Sequence, residues 1–414
     1  MDRNWAGNIA FSTNHVLVPQ DLEQLRHEIV RANHVKVIGS GHSFNRINDS
    51  NDTIISFLGF TRELSFNFED GTVSVPAGIT SGAIALRLNQ AGYALANMGS
   101  LPHISLVGAT ATATHGSGIK NQNLSGRIRK VEIVKANGEL EIIDTPDKLP
   151  AFAVSLGALG VIHHLHVAIE PTYEIAQEVY LDLPLESVRN NLLGILSCAY
   201  SVSLFTMWGE EVVDQVWIKS RVVGEPPTLG ETLVGAVKAQ EQVHPIRGVD
   251  PQGTTPQLGT VGPWYSRLPH FMLDSMPSAG GELQSEYFVS IEDGPAAFAA
   301  LFEIRAQIAP LLLVSEIRTV AADENWMSTA YGRDSIAFHF TWMPKEIEVN
   351  HLLPLIERAL APFAARPHWG KVFTADNFNF AQLYPHFQDF VALRRSYDPQ
   401  GKFLNDLLKV WGLE

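Results

Sequence analysis

The stretch Val35-Lys-Val-Ile-Gly-Ser-Gly-His-Ser-Phe-Asn45 decides how this chain is read. A short β-type run (Val35, Val37, Ile38) enters a loop with glycines at 39 and 41 and a histidine at 42. Glycines let a backbone approach a ligand without Cβ clashes. Successive N–H groups in such a loop form an anion-binding concavity. The spacing invites a Rossmann reading, but the third glycine is absent, and the following NRINDSNDTIISF has no helical period. No Gly-Lys-Ser/Thr occurs at the right place, which excludes a P-loop. On its own, the stretch also fits a tight strand-to-strand turn with an incidental histidine.

At 414 residues the chain exceeds one ordinary core, so two domains are expected. With 45% hydrophobic and 18% charged residues it fits a soluble globular protein. A net charge of −14 without a basic stripe argues against nucleic-acid or anionic-membrane partners. No apolar run approaches the ~20 residues that span a bilayer. MDRNWAGNIAF lacks a secretory pattern, so a cytoplasmic protein is expected, and the acidic charge permits a monomer. The single cysteine, Cys198, excludes a disulfide framework and a multi-cysteine metal site. Its apolar context, LLGILSCAYSV, points to a structural role.

Outward from the loop, periodicity predicts a helix over 21–33, capped by Asp21 and Gln24. Strands follow at 54–58, 64–68 and 72–75, then a helix over 80–91 ended by Gly92. A hairpin spans 131–143 about Asn137-Gly138. After Pro171 the glycine punctuation thins. Strands are predicted at 283–291, 312–320, 336–342 and 371–374, and helices at 296–308 and 349–360. The expected organisation is a first domain over 1–172, a second over 173–375, and a segment over 376–414 that returns to the first.

A second run of small residues and hydroxyls, Gly108 to Gly118 (GATATATHGSG), is read as an ordered extended segment. Such residues suit contact with a pyrophosphate or a flat ring. Together with NWAGN, GSGHSFN, SLPHIS, SLGALGV, LQSEY, EIRTVAAD, HFTW, RPHWGKVF and DPQGKFLN, it makes the chain resemble the vanillyl-alcohol-oxidase-type FAD flavoproteins. Within them it is similar to the alditol (xylitol) oxidase group, which shares features with the sugar-lactone oxidoreductases. The resemblance implies an α+β fold: a PCMH-type FAD-binding domain, and a cap domain with a mainly antiparallel sheet flanked by helices. It implies FAD bonded covalently through its C8α position to His42. It also implies that Gly39, Ser40, Gly41, Ser43, Phe44, Asn45, Ser100, Ser105, Gly108, Thr112, Thr114, His115 and Ile162 line the FAD. A neutral imidazole is a good nucleophile, and its ordinary pKa near 6.5 makes that form available.

Strand parity supplies a substrate face. Period 2 groups Glu316 with Arg318 and His339 with Thr341, each pair opposite apolar neighbours. Lys371 is expected to begin a third such strand. Alone, each pair also fits surface salt bridging. The resemblance implies that these residues, with Ser100, bind a polyol over the flavin. Glu, Arg, Lys, His, Ser and Thr can pair every hydroxyl of such a chain. Arg318 and Lys371 are the candidates to stabilise alkoxide charge. The base is His339, or Lys371 if desolvated. Dioxygen then returns the flavin to its oxidised form, giving hydrogen peroxide. Gly99 leaves its approach open. No metal is expected: His163, His164 and His166 cluster in sequence, but neither a carboxylate nor a cysteine joins them there. His103 is read as a hydrogen-bonder near the flavin. The competing readings are a sugar-lactone oxidoreductase of the same fold and a non-catalytic polyol- or nucleotide-binding protein.

Overall fold

The computed structural model describes residues 2–60, 63–225, 229–275 and 281–414. Helix Leu22–Arg31 buries Leu25 and Ile29, one turn apart, and Asp21 caps it by accepting from the Gln24 N–H. The Gln24 side chain reaches back to Gln20 rather than to the capping residue. The helix delivers the chain to strand Val35–Ile38, which runs parallel to Thr53–Ser56, itself parallel to Val16–Leu17. Between the first two lies the glycine loop with only a 3-10 turn, Arg46–Asn48. This crossover has no α-helix, as the missing helical period requires.

A five-stranded antiparallel sheet follows, ordered Ser65–Asn67, Thr72–Pro76, Val161–Ala168, Ile128–Val134 and Leu140–Ile143. Val73, Val75, Val131, Leu165 and Val167 point from it into a core. The expected extended run from Gly108 is corrected in part. Leu106–Ala111 is a short helix, and the chain reverses at Ala113 with φ +56 before continuing past His115. Leu106 and Ala109 are buried at helical spacing, and alanine is the best helix former. The small-residue alternation masked that period.

A ten-stranded antiparallel sheet takes its strands from residues 174–367. Its middle order is Ser201–Thr206, Leu312–Val320, Ser335–Trp342, Leu283–Ser290. Helices Leu185–Leu196, Gly294–Glu303 and Glu346–Leu360 cover one face. There Val188, Phe298 and Leu353 share a core with Ile317, Phe338, Phe340 and Trp342. The alternate residues of the same strands face the other way. The helix expected over 296–308 breaks at Ile304 (φ −102, ψ 13), and Arg305–Ile308 forms a separate turn.

The strand expected at 371–374 does not form. Arg366 and Pro367 pair with Phe288 and Tyr287, but Lys371 then closes a turn onto the His368 carbonyl. Only the Val372 N–H returns to the sheet, at the Gln284 carbonyl. Trp369 pulls the chain away from the sheet edge: its indole is buried and donates to the Met327 carbonyl at 2.7 Å. Helices Phe387–Tyr397 and Asp406–Val410 join the first core through Phe390, Leu408 and Trp411. The Lys402 carbonyl accepts from Val35 N–H, and Asn405 donates to the Arg46 carbonyl. Thus the end of the chain packs against the flanks of the glycine loop. Among the described residues, no helix is long and apolar enough to cross a membrane.

Candidate active site

One cavity is lined from both halves of the chain. Its first wall is the glycine loop: Gly39, Ser40, Gly41, His42, Ser43 and Phe44 all face it. The backbone N–H groups of residues 40–43 donate to no acceptor among the described residues. A Cβ on Gly39 would lie 2.1 Å from Ser105 Oγ, and Gly41 has φ +71, so both positions require glycine. Ser40 Oγ accepts from the Ser105 N–H at 3.1 Å, joining the loop to the second small-residue stretch. Ser105, Gly108, Thr112, Thr114, His115 and Ile162 line the same space, as does Ser100. Free N–H groups beside a backbone wall without side chains fit an extended dinucleotide diphosphate.

The His42 ring stacks on Trp5, with centroids 4.5 Å apart and planes 23° from parallel. Burial, reinforced by His103, lowers it to about 4, so the imidazole is neutral. Asn45, expected on the FAD, does not line the cavity. Its amide turns outward and donates to the carbonyls of Trp369 and Lys371, at 2.8 Å each. Its side-chain oxygen accepts from the Ile47 N–H, and this three-way anchoring fixes its direction. His103 donates to the Leu273 carbonyl, away from the cavity wall.

The second wall is the free face of the large sheet. Cross-strand register sets Glu316 opposite His339 and Val314 opposite Thr341, so the polar pairs expected from parity converge. All four line the cavity, with Lys371. Arg318 donates to Ser100 Oγ at 3.1 Å and to Glu286 Oε1 at 2.6 Å, and its Nε lies 3.5 Å from Glu316. Lys371 Nζ donates to Glu286 Oε2 at 2.7 Å. His115 approaches Glu286 Oε1 through Nε2 at 3.1 Å, while its Nδ1 donates to the Gly116 carbonyl. Burial alone would raise Glu286, but Lys371, Arg318 and His115 outweigh it and hold the carboxyl well below its ordinary range. Burial lowers Lys371, against the pull of Glu286.

His339 carries the most specific geometry. Nε2 lies 3.1 Å from Gln284 Oε1, an acceptor, so Nε2 bears the proton. Among the described residues, the buried Nδ1 has no hydrogen-bond partner. Burial, aided by Lys371, drives the ring well below its ordinary pKa, so its lone pair is free. Behind Glu316, a buried chain continues: His270 Nε2 contacts Glu316 at 2.8 Å, and Lys219 contacts His270 Nδ1 at 3.2 Å. Burial brings Lys219 down to about 7 and His270 to about 4.

Glu286, Gln284, His270, His368 and Lys219 are absent from the sequence-based site. The signal for two of them is present. Gln284 and Glu286 alternate with Leu283, Ser285 and Tyr287 in the strand next to His339, so parity groups them with the polar face. The remaining three come from loops or a neighbouring strand, and no local pattern marks them.

Comparison with known proteins identifies relatives of this chain. Residues 13–144 match a family described as "FAD binding domain", and residues 282–410 match "D-arabinono-1,4-lactone oxidase". Alditol oxidase of Streptomyces sp. is 39% identical over 98% of this chain and 97% of its own. L-gulono-1,4-lactone dehydrogenase of Mycobacterium tuberculosis is 28% identical, over 97% of each chain. The crystal structure of cholesterol oxidase from B. sterolicum superposes with a TM-score of 0.79, covering 99% of this chain and 96% of that one. At 14% identity that likeness establishes the fold alone. The fold and the cavity define an FAD-dependent oxidoreductase of the vanillyl-alcohol-oxidase type. Within that class the chain belongs to the alditol oxidase family.

Proposed function

We propose that this chain oxidises the terminal primary alcohol of alditols such as xylitol and sorbitol to the aldose, with dioxygen reduced to hydrogen peroxide. The observation that carries the reading is the unpartnered Nδ1 of His339, buried on a polar face that shares one cavity with the glycine loop. FAD, when bound, supplies the two-electron chemistry, taking hydride at N5 and passing electrons to dioxygen. Residues 39–44, Ser105, Gly108, Thr112, Thr114, His115 and Ile162 would hold it, and His42 would attach it covalently. Neutrality and the stacked Trp5 suit His42 to that role.

In this reading His339 Nδ1 accepts the hydroxyl proton, ahead of Lys371, whose ammonium is committed to Glu286. Lys371 and Arg318 stabilise developing alkoxide charge. Ser100, Glu316 and Thr341 pair the remaining hydroxyls, and Glu286 holds the two cations in place. A Cβ at Gly99 would meet its nearest neighbours at 3.7 Å, so glycine leaves that part of the wall open to dioxygen. A domain division at about 172 and 375, a cytoplasmic location and a monomer belong to the same proposal.

The match of residues 282–410 to the lactone oxidase family favours a second reading, oxidation of a sugar 1,4-lactone at the same site. Steady-state peroxide production distinguishes the two. Xylitol and sorbitol should support turnover far above an aldonolactone, and the reverse order would select the lactone reading.

A further inference from the structure

We propose that Glu132, His163 and His164 bind one divalent metal ion of borderline character, such as zinc(II) or cobalt(II). The three lie on neighbouring strands, Ile128–Val134 and Val161–Ala168. Glu132 sits opposite His164 and Ile133 opposite Ile162, so His163 is an extra residue in the ladder. Successive strand residues ordinarily point to opposite faces. An inserted residue bends the strand and re-aims side chains, and here it brings the two imidazoles together, hydrogen-bonded Nδ1 to Nδ1 at 2.6 Å, which leaves His163 Nε2 as the nitrogen offered to an ion. Glu132 completes the group with Oε2 at 3.3 Å from His163 Nε2. One donor from each of the three lies within 4.8 Å of the others. The carboxylate absent from the local sequence is thus supplied across the ladder.

Two further observations point to a ligand. His163 is 4% exposed, yet among the described residues its Nε2 makes no hydrogen bond and has only Glu132 Oε2 beside it, at 3.3 Å. Native structures rarely leave such an atom unsatisfied. Meanwhile Glu132 Oε1 accepts from His166 Nε2 at 2.8 Å, which leaves Oε2 facing His163. A ligand carboxylate held by an outer hydrogen bond is the usual arrangement at metal centres.

Two imidazoles and one carboxylate suit zinc or cobalt, whereas magnesium and calcium prefer all-oxygen sets. Ligands ~2 Å from a tetrahedral ion lie roughly 3.3 Å from one another, so closure needs only small side-chain shifts. Glu132 and His164 are half-buried, which gives an ion a route in. None of these residues lines the cavity, but Gly160 and Ile162 of the same segment do. The ion would fasten the strand that carries Ile162 and take no part in the oxidation.

The test uses the flavin-loaded protein, stripped of metal with a chelator and titrated with cobalt(II) and zinc(II). Wild type should take up one saturable equivalent, with cobalt giving the absorption of a tetrahedral site, and zinc should raise the thermal midpoint. His164→Ala and Glu132→Gln should each weaken uptake at least tenfold, and His166→Gln about tenfold. His27→Ala, a change at an exposed helix residue, should leave uptake unchanged. Far-ultraviolet circular dichroism of the metal-free proteins reports the folding of each variant independently of metal. Absence of saturable uptake by wild type would overturn the proposal. Uptake unaltered in both His164→Ala and Glu132→Gln would overturn it too, by assigning the ion to other surface histidines.

Discussion

The side chain of Asn45, at the end of the glycine loop, donates to the backbone carbonyl of Lys371 at 2.8 Å. It makes the same contact with Trp369. The glycine loop and the lysine proposed to act on the substrate are therefore fixed to each other directly, although 326 residues separate them in sequence. Asn45→Ala removes both bonds, each worth ~1 kcal/mol. The expected result is a drop of about tenfold in kcat on xylitol with flavin content nearly unchanged, because Asn45 does not face the cavity. Steady-state kinetics on flavin-normalised protein would check it.

Glu286 is the hub between Arg318, Lys371 and His115. Glu286→Gln keeps the shape and deletes the charge, leaving two buried cations with no carboxylate between them. Breaking a buried pair in this way costs ~3 kcal/mol or more. A loss of roughly 100-fold in kcat/KM is expected, together with a lower thermal midpoint. Wild-type kinetics in this variant would remove Glu286 from the account.

His42→Ala should release the flavin on acid precipitation, so the yellow colour moves from pellet to supernatant. The glycine wall and the free N–H groups of residues 40–43 persist, so FAD should still bind without a covalent bond. Colour retained in the variant's acid pellet would place the attachment elsewhere.

The buried histidines set the acid limit of stability. Burial lowers His270 to about 4, as it does His42 in the flavin-free protein. Each unfolds to an ordinary imidazole with a pKa near 6.5. Between pH 6.5 and 4 the unfolded chain therefore binds more protons, and stability falls as pH falls. One such histidine contributes a loss of up to ~3 kcal/mol across that window. Thermal midpoints from pH 8 to 4 should decline chiefly below 6.5, and His270→Gln should flatten the decline. The catalytic acid limb should also lie below 6.5, since His339 stays unprotonated through the ordinary imidazole range.

Much of the site was legible because it follows two short-range rules. Period 2 put Glu316 with Arg318 and His339 with Thr341, and the sheet register then brought both pairs together. Glycine spacing marked the wall at 39–41, where a Cβ on Gly39 would collide with Ser105 and Gly41 takes φ +71. What local pattern hid depends on distant packing. Lys371 was expected on a strand, but burial of Trp369 in the first core turns the chain out of the sheet. Asn45 lies within the loop motif but faces the sequence-distant 369–371 turn. The Lys219–His270–Glu316 chain joins a strand to a loop with no periodicity of its own. Glu132 meets the histidine cluster from the neighbouring strand, opposite His164, and only a ladder irregularity adds His163 to the group.

The central claim is that an alditol hydroxyl, held on the sheet face beside His339, is oxidised by FAD in this cavity. Anaerobic mixing of the purified yellow protein with xylitol tests it most directly. The flavin absorbance should bleach on mixing, and admitting air should restore it with one hydrogen peroxide formed per xylitol consumed. A flavin that stays oxidised with xylitol and sorbitol, yet bleaches with an aldonolactone, would contradict it.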